Sequence, residues 1–279
     1  MPAMIRFLPF VSSAPRVAVV RLSGPIGSAG RFGAGLSDQG IAPILERAFR
    51  AGRPSAVALI VNSPGGSPVQ SALIGARIRR LADERKLPVH AFVEDVAASG
   101  GYWIAAAADD IWVDDNSIVG SIGVISASFG FADLLGRQGV ERRVHTAGRS
   151  KSLADPFLPE KPEDVARLRA ILEPMHRNFI AHVTARRGAR LSTDTDLFQG
   201  DVWIGAQAVD LGLADGVAHA VPKLKALYGD KVRFLRHEAR RPFLRRFGLR
   251  GGGPGLAAEA VEAAFAAAEE RALWARYGL

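Results

Sequence analysis

The sequence predicts an α/β fold in which helices flank a mostly parallel sheet, and three observations predict it. Short apolar runs of strand length alternate with longer segments of helical spacing. Three glycine-rich turns, at 63–66, 98–101 and 120–123, each follow an apolar strand. The 279 residues are 48% hydrophobic and 23% charged, ordinary for a globular chain with a sizeable core.

The elements follow in order. Residues 16–22 (RVAVVRL) read as a buried strand and 23–40, rich in glycine and serine, as a surface loop. Over 41–50, Ile41, Ile44, Leu45 and Ala48 share one helical face. Residues 56–61 (AVALIV) form a second strand ending in NSPGGSP at 62–68. A helix over 69–85 follows, with Leu73, Ile74, Ile78 and Leu81 as its stripe. A third strand at 88–93 (PVHAFV) leads through a turn into a buried helix over 101–108. Residues 110–113 are a short strand before GSIGVI at 120–125. Beyond it, 131–138 reads as helical, 140–145 as extended and 146–159 as polar without periodicity. A long helix over 163–187 carries Val165, Leu168, Ile171, Leu172, Met175, Phe179 and Val183 on one side, with Pro174 a potential kink. Residues 202–217 read as strand, short helix and return strand.

Past residue 235 the composition changes. Arg236, Arg240, Arg241, Arg245, Arg246 and Arg250 crowd one segment, followed by GGGPG at 251–255 and an alanine-rich helix over 256–277. The expected organisation is a core domain at 14–235 with a basic segment and C-terminal helix appended at 236–279. Phe243, Leu244, Phe247 and Leu249 lie between the arginines, a composition suited to peripheral contact with an anionic membrane. A solvated linker is the plainer reading, and no nucleic acid is expected.

The chain has no cysteine, so disulfides, thiolate metal sites and cysteine nucleophiles are excluded. Its net charge of +8 is carried mostly by arginine. The run MPAMIRFLPFV at 1–11 is too short and too broken for a spanning helix or a signal peptide. The simplest expectation is a cytoplasmic protein, with membrane association left open by the basic segment. No metal or other cofactor is required by anything in the pattern.

The stretch VAASGGYWIAAA at 96–107 places Ser99 where a strand turns into a helix. A helix start leaves backbone N–H groups without intrahelical partners and favours negative charge. A hydroxyl among such donors has the geometry of an acyl-transfer nucleophile. The competing reading is a serine that caps the helix. Gly65 and Gly66 can expose amides toward a substrate carbonyl, and the amide of Gly100 directly follows the serine.

A serine nucleophile needs a base. Histidines stand at 90, 145, 176, 182, 219 and 237, none within a supporting motif, although spacing leaves His145 open. The pattern G-x-S-x-G fails because residue 97 is alanine. Lysine occurs only at 86, 151, 161, 223, 225 and 231, and Lys151 lies in a polar loop of a chain that otherwise prefers arginine. Arginine cannot give up its proton, whereas a desolvated lysine can. A solvated loop lysine remains the alternative.

Together, NSPGGS at 62–67, ASGGYWIA at 98–105, GSIGVI at 120–125 and the lysine of GRSKS at 148–152 resemble the signal peptide peptidase A (SppA/SohB) family. These are Ser–Lys peptidases of the Clp protease/crotonase fold, and the resemblance covers roughly 16–228. It implies Ser99 as nucleophile, Lys151 as general base, Ser121 as the hydroxyl orienting that lysine, and Gly66 and Gly100 as oxyanion-hole amides. The implied reaction is hydrolysis of peptide bonds in signal-peptide remnants or other short unfolded segments. Short members resemble ring assemblies in which the lysine is shared between subunits. Apolar surface on the 23–40 loop and the long helix adds to the expectation of a homo-oligomer. Two other readings stay open: a crotonase-type enzyme acting on a coenzyme A thioester, and a non-catalytic oligomeric scaffold.

Overall fold

Strands and helices alternate from residue 16 onward in a computed structural model of the chain, which describes residues 14–27, 35–148, 151–238 and 271–279. The order is β1 (Arg16–Ser23), α1 (Asp38–Ala48), β2 (Ala56–Ser63), α2 (Pro68–Arg85), β3 (Val89–Ala98), α3 (Gly100–Ala106), β4 (Asp110–Val113) and β5 (Ile118–Gly120). It continues with α4 (Ala132–Arg137), α5 (Pro162–Arg187), β6 (Val202–Ile204), α6 (Gly205–Asp210), β7 (Gly216–Val217), α7 (Ala220–Tyr228) and β8 (Arg233–His237).

One sheet runs β6-β5-β3-β2-β1-β8, with β4 pairing both β3 and β7 off that line. Every pairing is parallel except β5 with β6. Strand β3 is the hub. Its first half, through His90–Phe92, pairs β4, and its last three residues pair β5. The Ser117 hydroxyl bridges the fork by bonding the Glu94 carbonyl.

Alternation along the strands sends side chains to two faces. Ala18, Val20 and Leu22 of β1 and Val57, Leu59 and Val61 of β2 meet Leu45 of α1, Ile74 and Ile78 of α2, Tyr102 of α3 and Phe179 and Val183 of α5. Val17, Ala56, Ala58 and Phe92 face the other way, under Leu224 of α7. Strands buried on both faces read as continuous apolar runs, which is why they were legible.

The observed α/β architecture is the one predicted, and the differences from expectation have physical reasons. β3 extends to Ala98 rather than ending at residue 93, because its small residues pair β5; they are strand, not turn. Residues 140–145, expected to be extended, find no ladder among the described residues and lie mostly exposed. Helix α1 begins at Asp38, within the expected loop, where the Ser37 hydroxyl accepts from the Gly40 amide. α7 and β8 were not anticipated. β8 pairs β1 through His237, so Arg236 lies opposite Val19 in the sheet and the core runs past residue 235. The other five arginines of the basic segment lie outside the described residues.

Candidate active site

The nucleophile candidate is built by the end of β3. Ala97 is paired to Ser63 of β2, and Ala98 to Gly120 of β5, so the chain must turn sharply to enter α3. Ser99 makes that turn at φ 51°, ψ −123°. A non-glycine residue there stores strain, typically about 1–3 kcal/mol. Its amide donates to the Gly120 carbonyl at 2.8 Å, and its carbonyl accepts from Trp103 at 3.0 Å. The hydroxyl makes no capping bond to α3, so the helix-cap reading does not hold.

The turn after β2 packs directly on this serine. A Cβ on Gly65, at φ 99°, would lie 2.8 Å from Ser99 Cβ and 2.9 Å from the Gly100 nitrogen. Gly66, at φ 142°, lies so close to Ile26 that a Cβ would overlap the Ile26 carbonyl. The Gly65 carbonyl accepts from Ile26 at 2.7 Å and the Ile26 carbonyl accepts from Ser67 at 2.7 Å, which sets the turn. The Gly66 amide has no backbone acceptor among the described residues. Gly100 opens α3 and has no intrahelical acceptor either. Gly66 and Gly100 line one pocket with Ser99, so two amides without backbone acceptors share it with the hydroxyl-bearing residue, as oxyanion stabilisation requires.

In front of them lies a narrow pocket of about 20 Å3, walled by Ser71, Trp103, Gly123, Val124, Met175 and Phe179, with Gly66, Ser99 and Gly100 at its rim. Trp103 reaches it because Gly75 on α2 leaves room: a Cβ there would lie 3.2 Å from the indole. None of the α5 residues in this wall was singled out from sequence as part of a site. Their only signal was the apolar stripe of the helix.

Ser121 follows the residue whose carbonyl holds the Ser99 amide. It too is left-handed, at φ 51°, with its amide bonded to the Asp201 carbonyl at 2.6 Å. Lys151 is elsewhere. It lies exposed in a turn, its amide donating to the Gly148 carbonyl at 3.2 Å, and it does not line the Ser99 pocket of its own chain. Gly66, Ser99 and Gly100 thus share one pocket, Gly65 packs on Ser99 and Ser121 follows the residue bonded to it, whereas Lys151 does not line that pocket. Arg149 and Ser150 lie outside the described residues.

The histidines sort by their partners. His90 is buried, with Nδ1 2.9 Å from the Asp110 carboxylate and Nε2 2.7 Å from the Tyr228 hydroxyl. His219 pairs with Asp114 at 2.8 Å. His145 is exposed, away from the serine pocket. His176 and His182 bond backbone carbonyls on α5's inner side, to Ile122 at 3.1 Å and Trp103 at 2.9 Å. Burial lowers the His182 pKa, and the Trp103 carbonyl only partly opposes it. Among the described residues no three His, Asp or Glu side chains converge on a metal-sized position.

The C-terminal end of α5 is clamped. Arg186 donates to the carbonyls of Ala106 and Ala108. Arg187, buried, pairs with Asp215 at 2.6 Å, and Arg190 pairs with it at 3.0 Å. Burial works to raise the Asp215 carboxyl, but the Arg187 hydrogen bond, the Ile111 amide and the two guanidinium charges outweigh it, so its pKa is lowered.

A strained serine at a strand-to-helix turn, flanked by two amides and an apolar pocket, is the arrangement with which serine hydrolases carry out acyl transfer. The sequence pattern of Peptidase family S49 matches residues 82–227, more than half of the chain, and the chain belongs to that family. It is 49% identical over 271 residues to a Brucella melitensis protein named Na(+)/H(+) antiporter NhaA, covering 94% of this chain and 37% of that one. It is 32% identical to the chloroplastic serine protease SPPA of Arabidopsis thaliana over 76% of this chain and 32% of that one. Protease 4 of Haemophilus influenzae is 33% identical over 77% of this chain and 35% of its own length. The chain thus spans about a third of the length of these relatives.

Proposed function

We propose that the chain is a serine endopeptidase working through a Ser99–Lys151 dyad. Neutral Lys151 takes the Ser99 proton as Oγ attacks the scissile carbonyl, and the amides of Gly66 and Gly100 hold the developing oxyanion. The lysine passes its proton to the leaving amine, then removes one from the water that releases the acyl group. Ser121 orients the lysine. The observation that carries this reading is the conformation of Ser99: strained, uncapped and set between two amides without backbone acceptors.

Lys151 reaches a serine through assembly of a homo-oligomer, in which the exposed segment from Ile125 to Phe157 packs on a second copy. Supporting this, Phe131 stacks on Phe157 and lies tilted beside Phe129, ring centroids 5.7 and 6.3 Å apart, while all three remain exposed. The substrates are short unfolded segments, signal-peptide remnants among them, in keeping with the protease names of the relatives. A membrane setting fits the antiporter name of the Brucella relative. Among the described residues, however, no helix is long and apolar enough to cross a membrane.

The test is a serine-directed fluorophosphonate probe with mass spectrometry of products from a peptide library. Labelling of Ser99 and cleavage of peptides, both lost in Ser99→Ala, are expected. Absence of labelling together with thioesterase or hydratase activity on coenzyme A thioesters would overturn the peptidase reading in favour of a crotonase-type enzyme.

A further inference from the structure

We infer that His176 and His182 are positioning residues, which pin α5 against the Ser99 turn and so restrict the substrate side chain seated there to a small one. This rests on the reading of Ser99 as nucleophile. The two histidines lie on the stripe that includes Met175, Phe179 and Val183, and each reaches a different segment framing the pocket. His176 Nε2 donates to the carbonyl of Ile122, in the loop that carries Ser121, Gly123 and Val124. His182 Nε2 donates to the carbonyl of Trp103, one turn after Ser99. Its ring also lies flat on the Trp103 indole, centroids 4.5 Å apart and planes 5° from parallel. Trp103 in turn packs on Phe179 at 5.1 Å.

Trp103 and Phe179, which line the pocket, are therefore backed by His182, stacked on Trp103 and bonded to its carbonyl, while the His176 bond ties α5 to the Ile122 loop. Without these two bonds, among the described residues α5 has only apolar contact near the serine, its arginine clamp lying a full turn or more further on. Apolar contact alone is non-directional and leaves the helix free to slide. The pocket is partly open to solvent, and its space of about 20 Å3 holds little more than one water-sized group. A side chain of alanine size fits it, and a leucine requires α5 to move outward.

The experiment compares two fluorogenic peptides identical except for alanine or leucine at the position preceding the scissile bond. They are assayed with the full chain and its His182→Ala, His182→Gln, His176→Ala and His176→Gln variants, with fluorophosphonate labelling of Ser99 and thermal melting in parallel. The native protein is expected to prefer alanine. Each alanine variant is expected to lower the alanine-to-leucine ratio of kcat/KM by about tenfold or more, mostly through KM, with labelling preserved. Glutamine, which can place an amide donor near the lost Nε2, is expected to restore the ratio at residue 176, and at 182 only partly because the stack is gone. A native preference for leucine, an unchanged ratio, or equal loss on both peptides with labelling lost in step would overturn the proposal. Ser99→Ala serves as the separate control: if it still cleaves and labels, the nucleophile assignment itself has failed.

Discussion

The Ser99 turn and the segment from Ile125 to Phe157 are both rich in apolar residues, yet the chain treats them in opposite ways. Behind the serine the chain packs closely on itself. Ala97, Ala98, Gly100 and Tyr102 are buried, and glycines stand where a Cβ would collide. In the segment that leads to Lys151, Ile125 is 67% exposed and Phe129 80% exposed, and Leu134 and Val140 also face outward. Helix α5 repeats the contrast within one element. Phe179 and Val183 are buried, whereas Ile171 and Met175 on the same stripe are exposed. One half of the proposed dyad is thus completed by its own chain, and the other is borne on a surface that chain does not cover. A nucleophile held under strain needs a rigid frame, while a base delivered by assembly needs a surface kept for a partner.

The sharpest break of this contrast is Ser99→Ala. Turnover should fall by a factor on the order of 10⁶, as for other serine nucleophiles, with the melting temperature unchanged because the hydroxyl makes no capping bond. Next is Lys151. Both Lys151→Ala and Lys151→Arg should lower turnover by about 10²–10⁴-fold, since guanidinium stays protonated. Mixing Ser99→Ala with Lys151→Ala protein should restore activity if serine and lysine come from different copies. A Lys151→Arg enzyme of normal turnover would remove the lysine from the mechanism.

Asp215→Asn tests the internal frame. It strips the counter-charge from buried Arg187 and should cost about 3–5 kcal/mol in chemical denaturation. The same carboxyl gives a pH signature. Its pKa is lowered in the fold, so the unfolded chain binds more protons at acid pH. Its stabilising contribution is present above the ordinary carboxylate range and is lost as pH falls through the folded value, an effect that Asp215→Asn should abolish. The smallest effect is expected at Phe129→Ser. Sedimentation should show a lighter species with activity reduced, while each chain keeps its melting temperature, because the ring is 80% exposed and its aromatic neighbour Phe131 is exposed too. Sedimentation of the native protein as a fully active monomer would show that the exposed segment serves no second copy.

Much of the serine half was legible in sequence because its constraints are local. A glycine pair after a strand, or a serine between a strand and a helix, has few conformations to choose from. The proposed base stood out by chemical type, one lysine in a polar loop of a chain that favours arginine, but no periodicity reports where a loop lysine lies relative to Ser99. β5 escaped notice because three residues make no pattern. Arg236 drew β8 into the apparent basic segment, although alternation places only part of that strand toward the core. The stripe on α5 was read correctly as apolar, but a stripe does not say what covers it. Its two inward histidines, judged by motif alone, looked idle.

The pairing of β1 with β8 has a consequence for synthesis. Arg16 lies beside Arg233, so β1 leaves the ribosome about 217 residues before its neighbour on that side. At roughly 5–20 residues per second the wait is on the order of tens of seconds. Throughout it, the hydrogen-bonding edge of an apolar strand stands open to any other extended chain. The partners that set the serine turn, in β2 and β5, all precede β8, so that turn does not wait for the sheet to close on this side.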